Sequence, residues 1–346
     1  MINKLFNTVT AFSVLLFIGT ISFSVLYPVE KKEPAVKEEV VAEPPVNDSL
    51  MEGLTAEEDD GKYRAMINLT LPEGNSPEDT EIEEDPMDRM ITIKIKNAGA
   101  EYFETNPLSG RADHIKDIRY KTKDGNGEIK VYLDGIYAYE DTYENGVLEL
   151  GFLKPNEKYE HVIVIDAGHG GKDGGTAENG AVEKDIDLSI ALKLKDIFDL
   201  NPDESIKVYY TRLTDETVSV KKRTDFANDT GADIFLSIHN NSLNGEENAY
   251  VNGTQVMCYT NDGRNDSEAF AKILMKNITG RLESKDMGII SGNNIYVIKN
   301  TKMTAALCEI GFMSNLEEVQ KLQDEDYQLS AAEALYESIK EQLKSN

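Results

Sequence analysis

The sequence predicts an α/β domain with a mostly parallel, twisted sheet flanked by helices, preceded by a small all-β domain and an N-terminal transmembrane helix. Three observations support this fold class. Short apolar runs alternate with helical patterns over residues 160–346, which is typical of a parallel sheet. Residues 89–155 carry short alternating segments between turn signals, which is typical of hairpins. Residues 1–29 are almost uncharged.

Composition narrows the possible functions. The 346 residues allow about two domains of roughly 150 residues each, plus appendages. The formal charge of −27 argues against a nucleic-acid partner, because phosphate binding needs a basic face. Two cysteines, Cys258 and Cys308, exclude a disulfide framework and a cysteine-based zinc site. We expect two buried thiols, with a single bridge between them as the alternative.

Residues 1–29 predict a membrane anchor. One charge, Lys4, precedes an uncharged stretch that is long enough to cross a hydrocarbon core of about 30 Å as a helix. A cleaved signal peptide has similar regions. No clear small-x-small cleavage site precedes Tyr27, so we favour the uncleaved anchor and keep a secreted form as the alternative. Either form places the remaining chain outside the cytoplasm.

Residues 30–88 predict a disordered tether. Seven of the ten prolines fall at 28–88, together with acidic runs such as EEDD and EDTEIEED. Such a segment buries too little apolar surface to offset its chain entropy. One stretch, 63–71, alternates apolar and polar residues and is compatible with an isolated strand.

The small all-β domain is predicted over 89–155. Three segments alternate apolar and polar residues, at 91–95, 129–133 and 148–152. The sequences DGNG at 124–127 and ENG at 144–146 are hairpin turn signals.

The α/β domain is predicted over 160–346. Its strands are expected at 161–165, 206–210, 233–238, 255–259, 295–298 and 305–310. Its helices are expected from 185 to near Pro202, and at 220–228, 267–281 and 327–343.

The first of these strands leads into a candidate site. After Asp166 the chain turns through glycines on both sides of His169, which permits a tight turn and leaves the imidazole exposed above the strand end. Glu183 follows, just before a helix. Both side chains therefore belong to the rim where open α/β sheets bind ligands.

Two further residues complete a catalytic constellation. His239 follows the strand at 233–238, so two imidazoles and one carboxylate share a rim, as in a catalytic zinc site with a vacant fourth position. Glu309 lies among apolar residues of the strand at 304–315, where a carboxylate is costly unless paired or functional. Beside zinc it would be the general base; a salt-bridged structural glutamate is the alternative.

Together these motifs resemble a known family. VIVIDAGHGGKDGG, AVEKD, SIHNN and LCEIGFMSN, in this order over 160–344, resemble zinc-dependent N-acetylmuramoyl-L-alanine amidases of type 3. The resemblance implies one zinc ion per catalytic domain, bound by His169, Glu183 and His239. It implies Glu309 as the catalytic carboxylate and Asn241 as a contact to substrate. Asn240 stands where the family usually has a small residue.

The resemblance also implies a substrate and a location. The reaction would be hydrolysis of the amide between the lactyl group of N-acetylmuramic acid and L-alanine of peptidoglycan. We expect a monomeric catalytic domain, anchored at the membrane and facing the cell wall. Residues 115–155 weakly resemble AMIN domains, small β-sandwiches that often precede such amidases; a spacer without a ligand is the alternative. A non-catalytic wall-binding module and a zinc peptidase are the competing functions.

Overall fold

The computed structural model describes residues 48–51, 53–55, 61–260 and 267–344. The predicted anchor at 1–29 and the beginning of the predicted tether lie outside these residues. Within the described part of the chain, no helix is both long and apolar enough to cross a membrane.

Nine strands form the N-terminal half of the described chain. They are β1 (Leu54–Thr55), β2 (Ala65–Thr70), β3 (Thr80–Asp85), β4 (Met90–Ile95), β5 (Ser109–Arg111), β6 (Ile115–Lys123), β7 (Asn126–Leu133), β8 (Ala138–Glu144) and β9 (Val147–Leu153). Short helices α1 (Tyr102–Thr105) and α2 (Pro155–Lys158) accompany them. Short 3₁₀ helices occur at Asp48–Met51 and Pro77–Asp79.

These strands form a β-sandwich. One sheet has the order β1-β5-β2-β9-β8 and the other β3-β4-β7-β6. Their inner faces share one apolar core, in which Ile67 and Leu150 of the first sheet meet Ile93 and Ile129 of the second. The predicted hairpin turns join β6 to β7 and β8 to β9, with positive φ at both central residues of each turn, as two-residue hairpins of this type require.

The predicted tether is wrong for Leu50 and for residues 53–55 and 61–88, which belong to the sandwich. Ala65, Ile67 and Leu69 alternate with less buried neighbours and are fully buried where β2 pairs with β9. The acidic strand β3 pairs with β4, and its exposed Glu81 and Glu83 both contact Lys94. The strand considered at 63–71 is present as β2, whereas high average acidity concealed β3, which pairs with β4 through a polar face.

The second domain is built on a six-stranded sheet. Its strands are β10 (His161–Ala167), β13 (Ile206–Tyr210), β14 (Ile234–Asn241), β15 (Thr254–Cys258), β16 (Asp286–Ser291) and β17 (Thr304–Phe312), with a separate hairpin of β11 (Ala177–Glu178) and β12 (Ala181–Val182). The sheet order is β13-β10-β14-β17-β15-β16. Four of its five pairings are parallel, and only β15–β17 is antiparallel, which confirms the mostly parallel sheet.

Helices cover both faces of this sheet. They are α3 (Glu183–Leu200), α4 (Val220–Thr230), α5 (Ser267–Leu282), α6 (Tyr296–Asn300), α7 (Leu316–Leu322) and α8 (Glu325–Leu343). The larger core lies beneath α3, α5 and α8, and the smaller one beneath α4 and α6. Cys258 and Cys308 are buried free thiols, as expected.

The strand predicted at 295–298 is wrong. These residues begin α6, which buries Val297 and Ile298 against the smaller core. Their β-branched side chains favoured a strand by propensity, but burial against the sheet face decides the conformation. The sixth strand of the sheet is instead β16, whose half-exposed edge position gives a weaker apolar pattern.

The two domains are packed against each other. Lys207 on the edge strand β13 pairs with Glu84, Arg89 pairs with Asp229 of α4, and Ile136 of the sandwich joins the smaller core of the second domain. The chain crosses between the domains through α2. Residues on both sides of this crossing therefore form one compact unit.

Because β2 belongs to the sandwich, removing one of its buried side chains should lower the stability of the fold. Ile67→Ala should lower the free energy of unfolding by about 2–5 kcal/mol, because it removes a fully buried side chain from the sandwich core. Urea unfolding of the full chain measures this. Glu73→Ala, at an exposed position of the same segment, should change it by less than about 0.5 kcal/mol. Equal, negligible effects of both substitutions would contradict the buried strand.

Candidate metal centre

A buried ion pair lies beneath the predicted site. Asp166, near the end of β10, is almost fully buried and pairs with Arg223 of α4. The hydroxyl groups of Thr211 and Ser237 donate to its two oxygens at 2.6 and 2.7 Å. Burial alone would raise the pKa of Asp166, but the Arg223 charge and these two hydroxyls hold it below its ordinary value.

Two arginines fix the turn that follows β10. Arg223 donates to the carbonyl oxygens of Ala167 and His169. Arg212 donates to Ala167 and Gly168 at 3.0 and 2.6 Å. A third bond from Arg212 reaches the carbonyl of Lys184 at 2.8 Å, next to Glu183. The same guanidinium group therefore ties the turn to the start of α3.

The backbone of this turn exposes the His169 ring. His169, Gly170 and Gly171 all have positive φ, at 56°, 123° and 58°. A Cβ atom on Gly168 would lie 2.3 Å from Cε1 of His239, so only glycine lets the two segments approach this closely. Asp173 Oδ1 lies 3.0 Å from His169 Nδ1 and orients the ring.

Glu183 is the centre of the cluster. It begins α3 and is buried. Its Oε1 lies 3.1 Å from His169 Nε2 and 3.0 Å from His239 Nδ1. Its Oε2 accepts the backbone N–H of Thr176 at 2.8 Å. Burial alone would raise the pKa of Glu183, but the two histidines and this N–H lower it, so the group is a carboxylate at neutral pH.

Sheet register brings Glu309 to the cluster. His239 near the end of β14 is the direct neighbour of Glu309 on β17, because these parallel strands pair in that register. Glu309 is 9 % exposed, and its Oε2 has no hydrogen-bond partner among the described residues. Burial and the charge of Glu183 raise the pKa of Glu309 to about 7, against the opposing effect of His239.

The donor set fits a divalent cation such as zinc. One ligand atom from each of His169, Glu183, Asp187 and His239 lies within 4.8 Å of the others. Two imidazoles and a carboxylate are the donors of catalytic zinc sites. The cluster is also tightly enclosed, since a Cβ on Gly175 would lie 2.5 Å from Glu183 Oε2. The structure thus brings together the three predicted ligands, with Glu309 beside them.

The remaining predicted residue, Asn241, is held at the rim of the sheet. Its side-chain amide donates to Gln255 Oε1 at 3.2 Å, and Gln255 of β15 is the register neighbour of Glu309. The contact of Asn241 with substrate stays a prediction.

Sequence reasoning missed several residues of the site. Asp173, Arg212 and Arg223 look like ordinary surface residues in sequence, because nothing local shows that they bond the turn. Asp187 had a usable signal, since it lies four residues after Glu183 and therefore on the same side of a helix.

Comparison with known proteins shows to which family this chain belongs. The N-acetylmuramoyl-L-alanine amidase family of type 3 matches residues 163–341. The chain belongs to this amidase family. The predicted family is therefore confirmed, and the second domain is the catalytic domain of an amide hydrolase.

The relatives show how far the match extends. The uncharacterized protein YqiI of Bacillus subtilis is 32 % identical over 51 % of this chain and 82 % of its own length. The N-acetylmuramoyl-L-alanine amidase CwlM of Bacillus licheniformis is 35 % identical over 49 % of this chain, which spans 64 % of that protein. The crystal structure of an N-acetylmuramoyl-L-alanine amidase from Clostridium difficile 630 is 31 % identical with a TM-score of 0.50, covering 54 % of this chain and 98 % of that one. The AMIN resemblance stays a prediction.

The buried ion pair predicts a pH-dependent stability effect. Asp166→Asn should cost about 3–5 kcal/mol at pH 7, because it leaves the Arg223 charge buried without its partner. The pKa of Asp166 is depressed in the folded state, so the wild-type advantage exists above its ordinary value of about 4 and is lost as the pH falls through the folded-state value. Urea unfolding at pH 7 and pH 3 should therefore show the gap narrowing at acid pH. The exposed Asp196→Asn is the control, and a gap that stays constant would refute the assignment.

Proposed function

We propose that this chain is a zinc-dependent N-acetylmuramoyl-L-alanine amidase that remodels the cell wall. It hydrolyses the amide bond between the lactyl group of N-acetylmuramic acid and L-alanine of the stem peptide. The observation that carries the proposal is the convergence of His169 Nε2 and His239 Nδ1 on one oxygen of Glu183, with Glu309 in the adjacent register. Membership of the amidase family indicates which bond is cleaved.

His169, Glu183 and His239 would hold one zinc ion and leave a position open for the reacting groups. When bound, zinc supplies Lewis-acid chemistry, which polarises a carbonyl group and acidifies water. Asp173 holds the His169 ring through Nδ1, which leaves Nε2 directed at the site. Arg212 and Arg223 keep the turn that carries His169 in place while substrate binds and leaves.

Glu309 moves the proton. A carboxyl group with a pKa of about 7 can accept a proton from water and return it to the departing L-alanine amine. Its Oε2 suits this task, because no described side chain or backbone group occupies it. Cys308 cannot serve as a nucleophile, since it is fully buried and adjacent strand residues point to opposite faces.

Substrate would bind along the rim of the sheet beside the metal. Asn241 lies there, held by Gln255, with its backbone close to β17. An amide at this position can bond to the peptide groups of the stem. We assign Asn241 to orientation of the stem peptide.

The substrate implies a location outside the cytoplasm, as for the cell wall amidases among the relatives. We propose that residues 1–29 anchor the chain in the membrane and that the catalytic domain acts as a monomer on the adjacent wall. Secretion after cleavage of this segment is the alternative form.

Glu309→Gln tests the proton-transfer role. The amide keeps the shape but cannot accept the proton, so turnover should fall by about 10²–10⁴-fold while zinc binding is retained. Release of soluble muropeptides from purified walls measures turnover, and metal analysis measures zinc. Glu317→Gln, on the exposed start of α7, should leave both unchanged. Substantial activity in the Glu309 variant would remove this residue from the mechanism.

Removal of the metal and analysis of products test the reaction itself. A zinc chelator should abolish wall digestion by the full chain, and added Zn²⁺ should restore it. Mass spectrometry of the products should show a new L-alanine amine and intact glycan. Release of D-alanine would instead identify a peptidase, and activity that is indifferent to chelation would refute the zinc site.

A further inference from the structure

Two buried polar residues, Asp187 and Asn240, lie next to Glu183 on the interior side of the site. Asp187 follows Glu183 by one turn of α3, and Asn240 follows His239 on β14. The Asn240 side-chain amide donates to Asp187 Oδ1 at 2.8 Å, and the two residues are 0 % and 1 % exposed. The backbone N–H of Asn240 donates to Glu183 Oε1 at 3.2 Å. This pair therefore connects the two elements that supply Glu183 and His239.

The pair is costly for the fold. Asp187 Oδ2 and Asn240 Oδ1 are both buried and lack a hydrogen-bond partner within the described part of the chain. A buried polar atom without a partner destabilises a protein, and two apolar residues of similar size would avoid that cost. A pair that is unfavourable for stability, placed against a metal-binding carboxylate, indicates a role in the site.

Asp187 is close enough to the cluster to be considered a metal ligand. Its surroundings argue against that role. Its Oδ1 is already bound to Asn240, and Asp187 is completely enclosed, whereas the His169 and His239 side chains are 22 % and 17 % exposed at the open side of the site. Substrate must enter from the side of the two histidines, and Asp187 lies away from it.

We infer that Asp187 and Asn240 are positioning residues, which fix the Glu183 carboxylate relative to His239 so that both can bind one metal ion. Asp187 is not itself a ligand. The inference rests on the proposed metal site and adds two residues to it. Groups that orient metal ligands typically contribute 10–100-fold to metal affinity.

The test is the zinc affinity of the full chain, measured by competition with a chromophoric chelator at pH 7. The double variant Asp187→Leu/Asn240→Ala removes both polar side chains, so it should fold with a Tm equal to or above that of the wild type. Its zinc affinity should nevertheless fall by about 10–100-fold. A structural role alone would not weaken zinc binding in a protein of undiminished stability.

Asp187→Asn separates positioning from ligation. The new amide keeps an oxygen that accepts from Asn240 and gains an NH₂ group that can donate to Asn240 Oδ1. Its zinc affinity should therefore stay within tenfold of the wild type. Ser189→Ala is the matched control, because it breaks the Ser189–Gln328 bond on the same helix, away from the site, and should not weaken zinc binding.

Three results would overturn the inference or its basis, and they are distinguishable. Wild-type zinc affinity in the double variant would show that the pair does not position Glu183. A loss in Asp187→Asn as large as that in the double variant would show that Asp187 is a ligand. Failure of the wild-type chain to bind zinc would refute the proposed metal site itself.

Discussion

The site depends on a buried pair of charges, Asp166 and Arg223. Arg223 is neutralised by Asp166, and its two terminal nitrogens also donate to the carbonyls of Ala167 and His169 in the turn. The positive φ of His169 in this turn is unfavourable for a residue with a Cβ, whereas Gly170 and Gly171 adopt such angles readily. The turn is held because the buried Arg223 and Arg212 side chains donate hydrogen bonds to its carbonyl oxygens. Arg223 of α4 thus helps to offset the strain of the turn, and the His169 imidazole is held at the edge of the sheet.

The second constraint is the register of two parallel strands. His239 and Glu309 are 70 residues apart in sequence but become neighbours because β14 and β17 pair directly. A shift of either strand by one residue would turn its side chain to the opposite face. The completely buried strand β17 resists such a shift, since all nine of its residues are packed. Catalytic geometry here follows from core packing.

Local patterns predicted the α/β sheet, five of its six strands and the cluster of His169, Glu183, His239 and Glu309, because glycines and strand ends are visible in sequence. Tertiary partners were not predictable in this way. Arg212 and Arg223 give no local sign of burial, whereas the position of Asp187 one helical turn after Glu183 was a usable signal. The prediction of a tether was wrong for a related reason, since the alternating stretch at 63–71 gives no local sign that it pairs with β9.

The early start of the sandwich sets the reach of the proposed membrane-anchored form. Leu50 and Leu54 are already part of its core, so at most the 20 residues at 30–49 separate the folded body from the proposed anchor. Even fully extended, a segment of this length spans about 70 Å. A chain held at the membrane in this way would act only on wall polymer that lies within this distance, plus the width of the folded body, of its anchor.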